Sequence, residues 1–293
     1  MRTQRNGVAM NVVRVVESLG GAARARDLLK AGASRHALCK AVVAGDLVRR
    51  DGTYALPGAS RAAVLSASFQ AEPTCITALE SWGVPLIPAP TGGVHLAVAR
   101  NRGITKSDPR LRRGVVIHRT GELTGVPEVD AAQALCDASR CVSPTTLVVA
   151  ADDLLGRGLI QRDDLRAVTP RLTRWLRSVA DPKAGSPAES LARLALLRAG
   201  YRLRSQVHFD GVGDVDLVVE DAVVVEADGQ TYHSDPKSFI VDRQRDRTLN
   251  GLGYRVLRFA AAEIFADPEV VTRDVARLVG RGDVHRAAAA STF

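Results

Sequence analysis

The sequence predicts an α/β (α+β) fold made of three consecutive segments. Short helical patterns that end in glycine fill residues 1–58, helices and strands mix over residues 59–182, and two apolar strands joined by a tight turn stand out in residues 183–293. A chain of 293 residues is long enough for two or three domains. We therefore expect one domain boundary near residue 58 and another at the linker-like run 181–185.

The first segment predicts a winged helix-turn-helix. A helical pattern over residues 11–19 stops at a glycine pair, and a second short helix ends at Gly32. Ser34 is a suitable N-cap for a third helix over residues 35–44. The Asp51-Gly52 pair between two apolar stretches predicts a hairpin. Three short helices followed by a hairpin are typical of this DNA-binding fold, although winged helices also bind proteins.

The charge of the first segment predicts a polyanionic partner such as DNA. Residues 1–60 contain 10 lysines and arginines against 4 acids, whereas residues 183–293 contain 15 against 16. The third helix would enter the major groove, and the basic hairpin would reach the phosphate backbone. The candidate contacts are Arg35, His36, Lys40, Arg49 and Arg50.

Three short motifs lie within residues 32–58: Ser-Arg-x-x-Leu, Gly-x-Leu-Val-Arg-Arg and Gly-x-Tyr-Ala-Leu-Pro-Gly. Together they resemble the N-terminal domain of AbiEi-type antitoxins, which belong to type IV toxin–antitoxin systems. The resemblance covers about 55 residues. It implies a winged-helix domain that binds DNA, and it raises the possibility of a toxin partner.

The middle segment predicts a mixed α/β region of unknown role. Helical patterns cover residues 61–68, 74–82, 130–139 and 144–156, and strand patterns cover 94–98 and 115–118. We interpret His118, at a strand end, as a structural histidine. The four cysteines, Cys39, Cys75, Cys136 and Cys141, are scattered without a CxxC pair, which argues against a zinc site.

The cellular location follows from what the sequence lacks. No apolar run is long enough to span a bilayer, and the N-terminus has no hydrophobic signal core. Scattered cysteines are typical of reduced thiols in a cytoplasm. We therefore expect a cytoplasmic protein without a membrane partner.

The third segment places acids on predicted strands over residues 214–219 and 223–228. A hairpin that pivots near Asp221 would put Asp216 opposite Glu226. Carboxylates in an apolar setting are costly unless a cation compensates them, and Mg²⁺ prefers carboxylate oxygens. Asp216, Glu226 and Asp228 are therefore candidate metal ligands. The alternative is a solvent-facing row of acids, and an arginine that neutralised them would argue against the metal.

The motifs that follow these strands extend the pattern: Glu-x-Asp-Gly at 226–229, His233, Asp-Arg-x-Arg-Asp at 242–246 and Gly-Tyr-x-Val-Leu-Arg-Phe at 253–259. They resemble the bacterial domain family related to very-short-patch repair endonucleases, in the PD-(D/E)XK superfamily. The resemblance covers roughly residues 183–280 and includes Glu189 on an upstream helix. It implies a restriction-endonuclease-like α/β/α domain that uses Mg²⁺ or Mn²⁺, with Asp216 and Glu226 as ligands and Glu189 as a further acid.

One position departs from the superfamily pattern. Asp228 stands where a lysine is usual, so the motif lacks its positive charge. His233 is then the candidate general acid/base or phosphate ligand, and Gln230 the candidate that orients water. The candidate phosphate contacts are Arg243, Arg245 and Arg258. The candidate catalytic set is Glu189, Asp216, Glu226, Asp228, Gln230 and His233.

Two functions follow from these patterns. The first is a DNA-binding protein with a metal-dependent endonuclease domain, acting in DNA repair or in defence against phages and mobile elements. The second is an antitoxin-like transcriptional repressor without catalysis, which the missing lysine favours. A homodimer suits either function, because a double-strand cut or a palindromic operator needs two sites.

Overall fold

The computed structural model describes residues 11–105, 107–121, 123, 129–228 and 236–279. It contains two compact units, which we call unit 1 (Met1–Gly83 and Pro90–Cys141) and unit 2 (Val84–Ala89 and Val142–Phe293). The described residues form helices and three small sheets, so the predicted mixed α/β class is confirmed.

The N-terminal part of unit 1 has three helices and a three-stranded antiparallel sheet of order β1-β3-β2. Its core contains Val16, Leu28, Leu38 and Leu47. The hydroxyl of Ser34 accepts a hydrogen bond from the backbone of the third helix, as expected for an N-cap. The elements are α1 (Val12–Ser18), β1 (Ala22–Arg24), α2 (Ala25–Lys30), α3 (Arg35–Val43), β2 (Val48–Arg50) and β3 (Thr53–Ala55).

The rest of unit 1 is built on a second sheet of order β4-β5-β6, in which β5 and β6 are parallel. Leu96 and Val98 on one sheet face pack against Leu65 and Phe69 of α4. The intervening residues of β5 point to the opposite face. The elements are α4 (Arg61–Phe69), β4 (Glu72–Pro73), α5 (Cys75–Ser81), β5 (Val94–Ala99), a 3₁₀ turn (Pro109–Arg113), β6 (Val115–Thr120) and α6 (Ala131–Ala138).

Unit 2 is built on a four-stranded mixed sheet of order β10-β9-β8-β7. The β7–β8 and β8–β9 pairs are antiparallel, whereas β9 and β10 are parallel and are joined by a helix. The elements are α7 (Pro144–Gly156), a 3₁₀ turn (Arg162–Asp164), α8 (Pro170–Val179), α9 (Pro187–Arg198), β7 (Leu203–Phe209), β8 (Gly213–Val219), β9 (Val223–Asp228), α10 (Pro236–Gly251), β10 (Arg255–Ala260), α11 (Ala261–Ala266) and α12 (Glu269–Val279).

Helices cover both faces of this sheet because its central strands alternate between two apolar clusters. Leu217 and Val225 belong to the cluster that α9, α11 and α12 complete, and Val218 and Val224 belong to the cluster that contains Leu249 of α10. The hairpin between β8 and β9 pivots at residue 221, as predicted, since the pairs run from 217–225 to 219–223. The acids that follow on β9 are therefore held between two helical layers.

A buried ion pair connects α7 to the N-terminal half of α9. The carboxylate of Asp152 on α7 accepts hydrogen bonds from Arg193 and Ser190 of α9, each at 2.7 Å. It also accepts the backbone N–H of Asp181 at 2.7 Å. The run 181–185 is thus tied to α7 and α9 immediately before the helix that carries Glu189.

The described helices differ from helices that span membranes. None of them combines the length and the apolar character that a bilayer crossing requires.

Candidate active site

Strands β8 and β9 separate at Asp216. Their regular pairing ends with Leu217 opposite Val225. The next backbone donor of β9, the N–H of Ala227, donates instead to Oδ2 of Asp216 at 2.9 Å. A carboxylate that accepts a backbone hydrogen bond in this way has a fixed orientation, so the strand separation both opens the sheet and sets the position of this acid.

Gln206 on β7 connects Asp216 to a second acid. Its Nε2 donates to Oδ1 of Asp216 at 3.2 Å and to Oε2 of Glu189 at 2.9 Å. Gln206 lies opposite Asp216 in the β7–β8 register and has a φ of +48°, which is costly for a residue other than glycine. The strained backbone therefore holds an amide between two carboxylates, and a neutral amide cancels the charge of neither.

Glu189 lies in the first turn of α9, where the helix is capped by Ser186. Its carboxylate also accepts the backbone N–H of Gly185 at 2.9 Å. A Cβ on Gly185 would lie 3.2 Å from Oε1 of Glu189, so glycine allows this close approach. Burial raises the pKa of Glu189 and the negative charge of Asp216 raises it further, against the opposing effect of the Gly185 hydrogen bond.

Glu226 on β9 is the third acid, and two arginines hold it. Its Oε2 lies 2.9 Å from Nη1 of Arg258, and its Oε1 lies 3.3 Å from Nη2 of Arg245. Burial raises the pKa of Glu226, while Arg258 and Arg245 act in the opposite direction. The Nε of Arg245 is buried without a hydrogen-bond partner, so this corner of the site keeps one unsatisfied donor.

Arg258 on β10 joins acids from two elements. Besides Glu226, its guanidinium lies 3.0 Å from Asp246 of α10 and 3.7 Å from Asp228 at the exposed end of β9. Asp228 is the position where the superfamily pattern has lysine. A positive charge therefore stands next to this position, although it comes from the neighbouring strand.

The candidate residues fall into three groups. Gln206 connects Glu189 to Asp216, Asp216 accepts the N–H of Ala227 next to Glu226, and Asp228 lies at the edge of this group. Arg245 and Arg258 contact Glu226, and Arg243 is exposed on α10. Gln230 and His233 lie outside the described residues. The candidate DNA contacts of unit 1 are all exposed: Arg35, His36, Lys40, Arg49 and Arg50.

Sequence reasoning missed two residues of this site, Gln206 and Gly185. Strand β7 was not predicted, and only its register against β8 places Gln206 opposite Asp216. Gly185 was interpreted as part of a linker, although its N–H orients Glu189. The contribution of Gln206 depends on long-range strand pairing, which leaves no local pattern in the sequence. The Gly185 contact spans four residues, but a glycine before a helix reads equally well as part of a linker.

Two of the scattered cysteines, Cys75 and Cys141, meet two histidines in unit 1, so the lack of a CxxC pair did not exclude a group of potential metal ligands. Among the described residues, one set of His, Cys, Asp and Glu side chains has all its ligand atoms within 4.8 Å of one another, and that set is Cys75, His95, His118 and Cys141. It lies in unit 1. The acids of unit 2 do not reach this mutual distance, so they form a looser group than the sequence predicted.

The acids of unit 2 nevertheless suit a divalent cation. Glu189 and Asp216 share one amide donor, and the partners that orient them are amide and hydroxyl groups of Gly185, Ser186, Gln206 and Ala227. Hard cations prefer carboxylate oxygens, and a positive ion would compensate two charges that form no ion pair within the described part of the chain. Glu226 is different, because a cation would compete there with two arginines.

The comparison with protein families matches residues 189–279 to REase_MTES_1575, a restriction endonuclease-like family. The matched segment begins at Glu189 and includes Asp216, Glu226, Arg245 and Arg258. Unit 2 therefore contains a nuclease-like domain, and folds of this kind are generally dependent on divalent metals. A comparison with curated proteins found no match.

We expect the substitution Glu189→Gln to stabilise the metal-free protein. Burial and the Asp216 charge make the ionised Glu189 unfavourable, and glutamine keeps the shape and the Gly185 hydrogen bond without the charge. In chelator at neutral pH, the melting temperature of unit 2 should rise by about 3 °C, which corresponds to about 1 kcal/mol.

Two comparisons control this prediction. Glu263→Gln changes an exposed glutamate that also accepts a backbone N–H, and it should give no increase. Because the pKa of Glu189 is raised on folding, its cost is present at neutral pH and disappears as the pH falls. The two proteins should therefore melt together in acid. A lower melting temperature for Glu189→Gln at neutral pH would contradict the proposal that the charge of Glu189 destabilises the metal-free protein.

Proposed function

We propose that this protein is a DNA-binding, divalent-metal-dependent endonuclease with its active site in unit 2. One observation carries the proposal. Glu189 and Asp216 share the amide of Gln206 and form no ion pair with a cation among the described residues, and they lie within a segment that matches a restriction endonuclease-like family. A site that holds two like charges close together at a cost to stability is typical of catalytic centres.

In this proposal the acids of unit 2 would bind the cation together. Asp216, Glu189 and Glu226 hold Mg²⁺ or Mn²⁺, with Asp228 at the outer edge of the site. When bound, the cation lowers the pKa of a water molecule and screens the scissile phosphate. The backbone N–H groups of Ala227 and Gly185 fix two of the carboxylates in advance, so little reorganisation is needed. Gln230 and His233 are the candidates to orient water and to transfer a proton.

Arg258 supplies the positive charge that Asp228 cannot. Its guanidinium lies beside Asp228 and is partly exposed, so it is placed to contact a phosphate oxygen near the acids. Arg245 adds a second cation with an unsatisfied Nε donor. The protein would thus replace the usual lysine by arginines from β10 and α10.

We expect Asp216→Asn to abolish metal-dependent nicking of supercoiled plasmid. The amide keeps the shape of the side chain but loses the charge that holds the cation, which is worth several kcal/mol in the transition state, so the rate should fall at least about a hundredfold. The matched control is Asp214→Asn, two residues away on β8, whose carboxylate is exposed and bonded to His208. It should nick at the wild-type rate.

This assay also contains the outcomes that would overturn the proposal. Wild-type protein should be tested with Mg²⁺ and Mn²⁺ on plasmid, linear duplex and single-stranded DNA. Equal cleavage by wild type and Asp216→Asn would identify a contaminating nuclease. The absence of metal-dependent cleavage from every substrate would rule out the enzymatic function.

We expect substitutions of Arg258 to separate phosphate binding from metal binding. In Arg258→Ala, the maximal rate should fall about tenfold or more because the phosphate loses a cationic partner. The Mn²⁺ concentration for half-maximal rate should decrease, since Glu226 no longer pairs with Arg258. Arg258→Lys should recover part of the rate, and Arg255→Ala, an exposed residue at the start of the same strand, should change neither quantity.

A purely structural role for Arg258 predicts a different result. Both Arg258→Ala and Arg258→Lys would then lose activity together with melting temperature, and the metal requirement would not decrease.

We infer further that residues 11–58 bind duplex DNA as a winged helix-turn-helix. The support is the order of helices and strands together with the exposure of every candidate contact on α3 and β2. The guanidinium of Arg49 lies over the ring of Tyr54, 5.6 Å from its centre, which orients the basic hairpin. This domain would bring the nuclease-like domain to its substrate.

We expect the double substitution Arg49→Ala/Arg50→Ala to weaken DNA binding and its salt dependence. Each lost phosphate contact lowers the slope of log K against log salt by about one, so the double variant should lose about two. The control is Arg26→Ala, which changes an exposed arginine on α2 and should keep the wild-type slope. An unchanged slope in the double variant would exclude this hairpin from the DNA interface.

The second candidate function is an antitoxin-like repressor without catalysis. The observation that favours it is the pairing of Glu226 with Arg258 and Arg245, which already compensates one of the three acids. A repressor would bind one operator sequence selectively, as a homodimer or with a toxin partner, and would not cleave DNA. The plasmid assay distinguishes the two functions.

A further inference from the structure

Four residues of unit 1 meet at one point, although they are separated by 20, 23 and 23 positions along the chain. Cys75 begins α5, His95 lies on β5, His118 lies on β6, and Cys141 follows the end of α6. Their ligand atoms all lie within 4.8 Å of one another. Each residue comes from a different element, so the tertiary fold alone assembles the group.

From this geometry we propose that Cys75, His95, His118 and Cys141 bind a structural zinc ion. The site lies in unit 1 and is independent of the proposed nuclease function.

The measured separations agree with tetrahedral coordination. Nδ1 of His95 lies 3.1 Å from Nε2 of His118, and Sγ of Cys141 lies 3.9 Å from the same Nε2. Zinc–nitrogen bonds of about 2.0 Å and zinc–sulfur bonds of about 2.3 Å place tetrahedral ligands roughly 3.3–3.8 Å apart. Small shifts of the side chains would therefore complete the site.

The surroundings also suit a metal. Cys75, His95 and His118 are buried, while Cys141 is partly exposed and lies nearest to solvent. Burying two imidazoles on a sheet face, where apolar side chains would pack, is costly unless they have strong partners.

A second layer of residues orients the ligands. Oδ1 of Asp137 lies 3.7 Å from Nδ1 of His118, on the side of the ring away from the cluster. Asp137 is itself held by the hydroxyl of Thr74 at 2.7 Å and by the amide of Gln133 at 3.2 Å. Carboxylates behind histidine ligands commonly fix the ring orientation and increase ligand basicity in zinc proteins.

The backbone of Cys75 has a strained conformation that places this residue in the cluster. Cys75 has a φ of +54°, a left-handed conformation that is costly for a residue other than glycine. Thr74, the N-cap of α5, makes no side-chain capping bond, and its hydroxyl donates to Asp137. Both features lower the stability of the helix start while they place Cys75 in the cluster.

The ligand types select the metal. Two thiolates and two imidazoles in a closed set of four are typical of structural zinc, whereas Mg²⁺ prefers oxygen ligands. The ion would connect the parallel strands β5 and β6 to α5 and to the residues after α6. It would thus cross-link these elements beside the buried apolar residues of α5 and α6, such as Leu79 and Leu135.

The test is the metal content of the full-length chain, expressed with added zinc and purified without a metal-affinity step. Wild type should contain about one zinc per chain, and Cys75→Ser and Cys141→Ser less than about one fifth of that. Cys39→Ser, His208→Gln and Asp216→Asn should keep the wild-type content. Retention of zinc by Asp216→Asn separates this site from the proposed nuclease site.

Two measurements on wild type keep the test decisive if the cysteine variants fail to fold. Reconstitution with Co²⁺ should give the intense absorption of tetrahedral cobalt with thiolate ligands, and removal of zinc by chelation should lower the melting temperature of unit 1. Zinc-free wild type without a cobalt band, a Cys75–Cys141 disulfide in the native protein, or equal zinc loss in Cys39→Ser would overturn the proposal.

Discussion

The hydrogen bond from Ala227 to Asp216 determines the arrangement of the acids in unit 2. It ends the regular pairing of β8 and β9 and turns a carboxylate into the gap between them. Glu189 then approaches from α9 because Gln206 connects it to Asp216, and Glu226 follows on the next strand. Without this separation, the two strands would pair through their ends and would present the acids to the flanking layers as isolated charges.

The three acids are compensated unequally, and this inequality has a consequence for function. Arginines pair with Glu226, whereas Glu189 and Asp216 depend on amide donors, which orient charge without cancelling it. Such a group is less stable than one in which every acid has a cation, and catalytic sites commonly carry this cost. Arg258, beside Asp228, also provides positive charge near the position where the superfamily pattern leads us to expect lysine.

The two units place different ligand chemistry in different surroundings. Unit 2 collects oxygen ligands at the end of a strand pair, which suits an exchangeable hard cation. Unit 1 collects sulfur and nitrogen ligands between a sheet and two helices, where a closed set of four suits a permanent ion. The first group would bind a catalytic cation, and the second would bind an ion that stabilises unit 1.

The sequence by itself determined the α/β class, most helices, the pivot of the β8–β9 hairpin and the identity of the strand acids. These features leave local signals, because capping residues, apolar periodicity and turn residues act over a few positions. Only the tertiary structure decided that Gln206 bridges two acids, that arginines pair with Glu226, and that Cys75, His95, His118 and Cys141 meet. Each of these contacts joins distant parts of the chain through strand register and helix packing, which no short sequence pattern specifies.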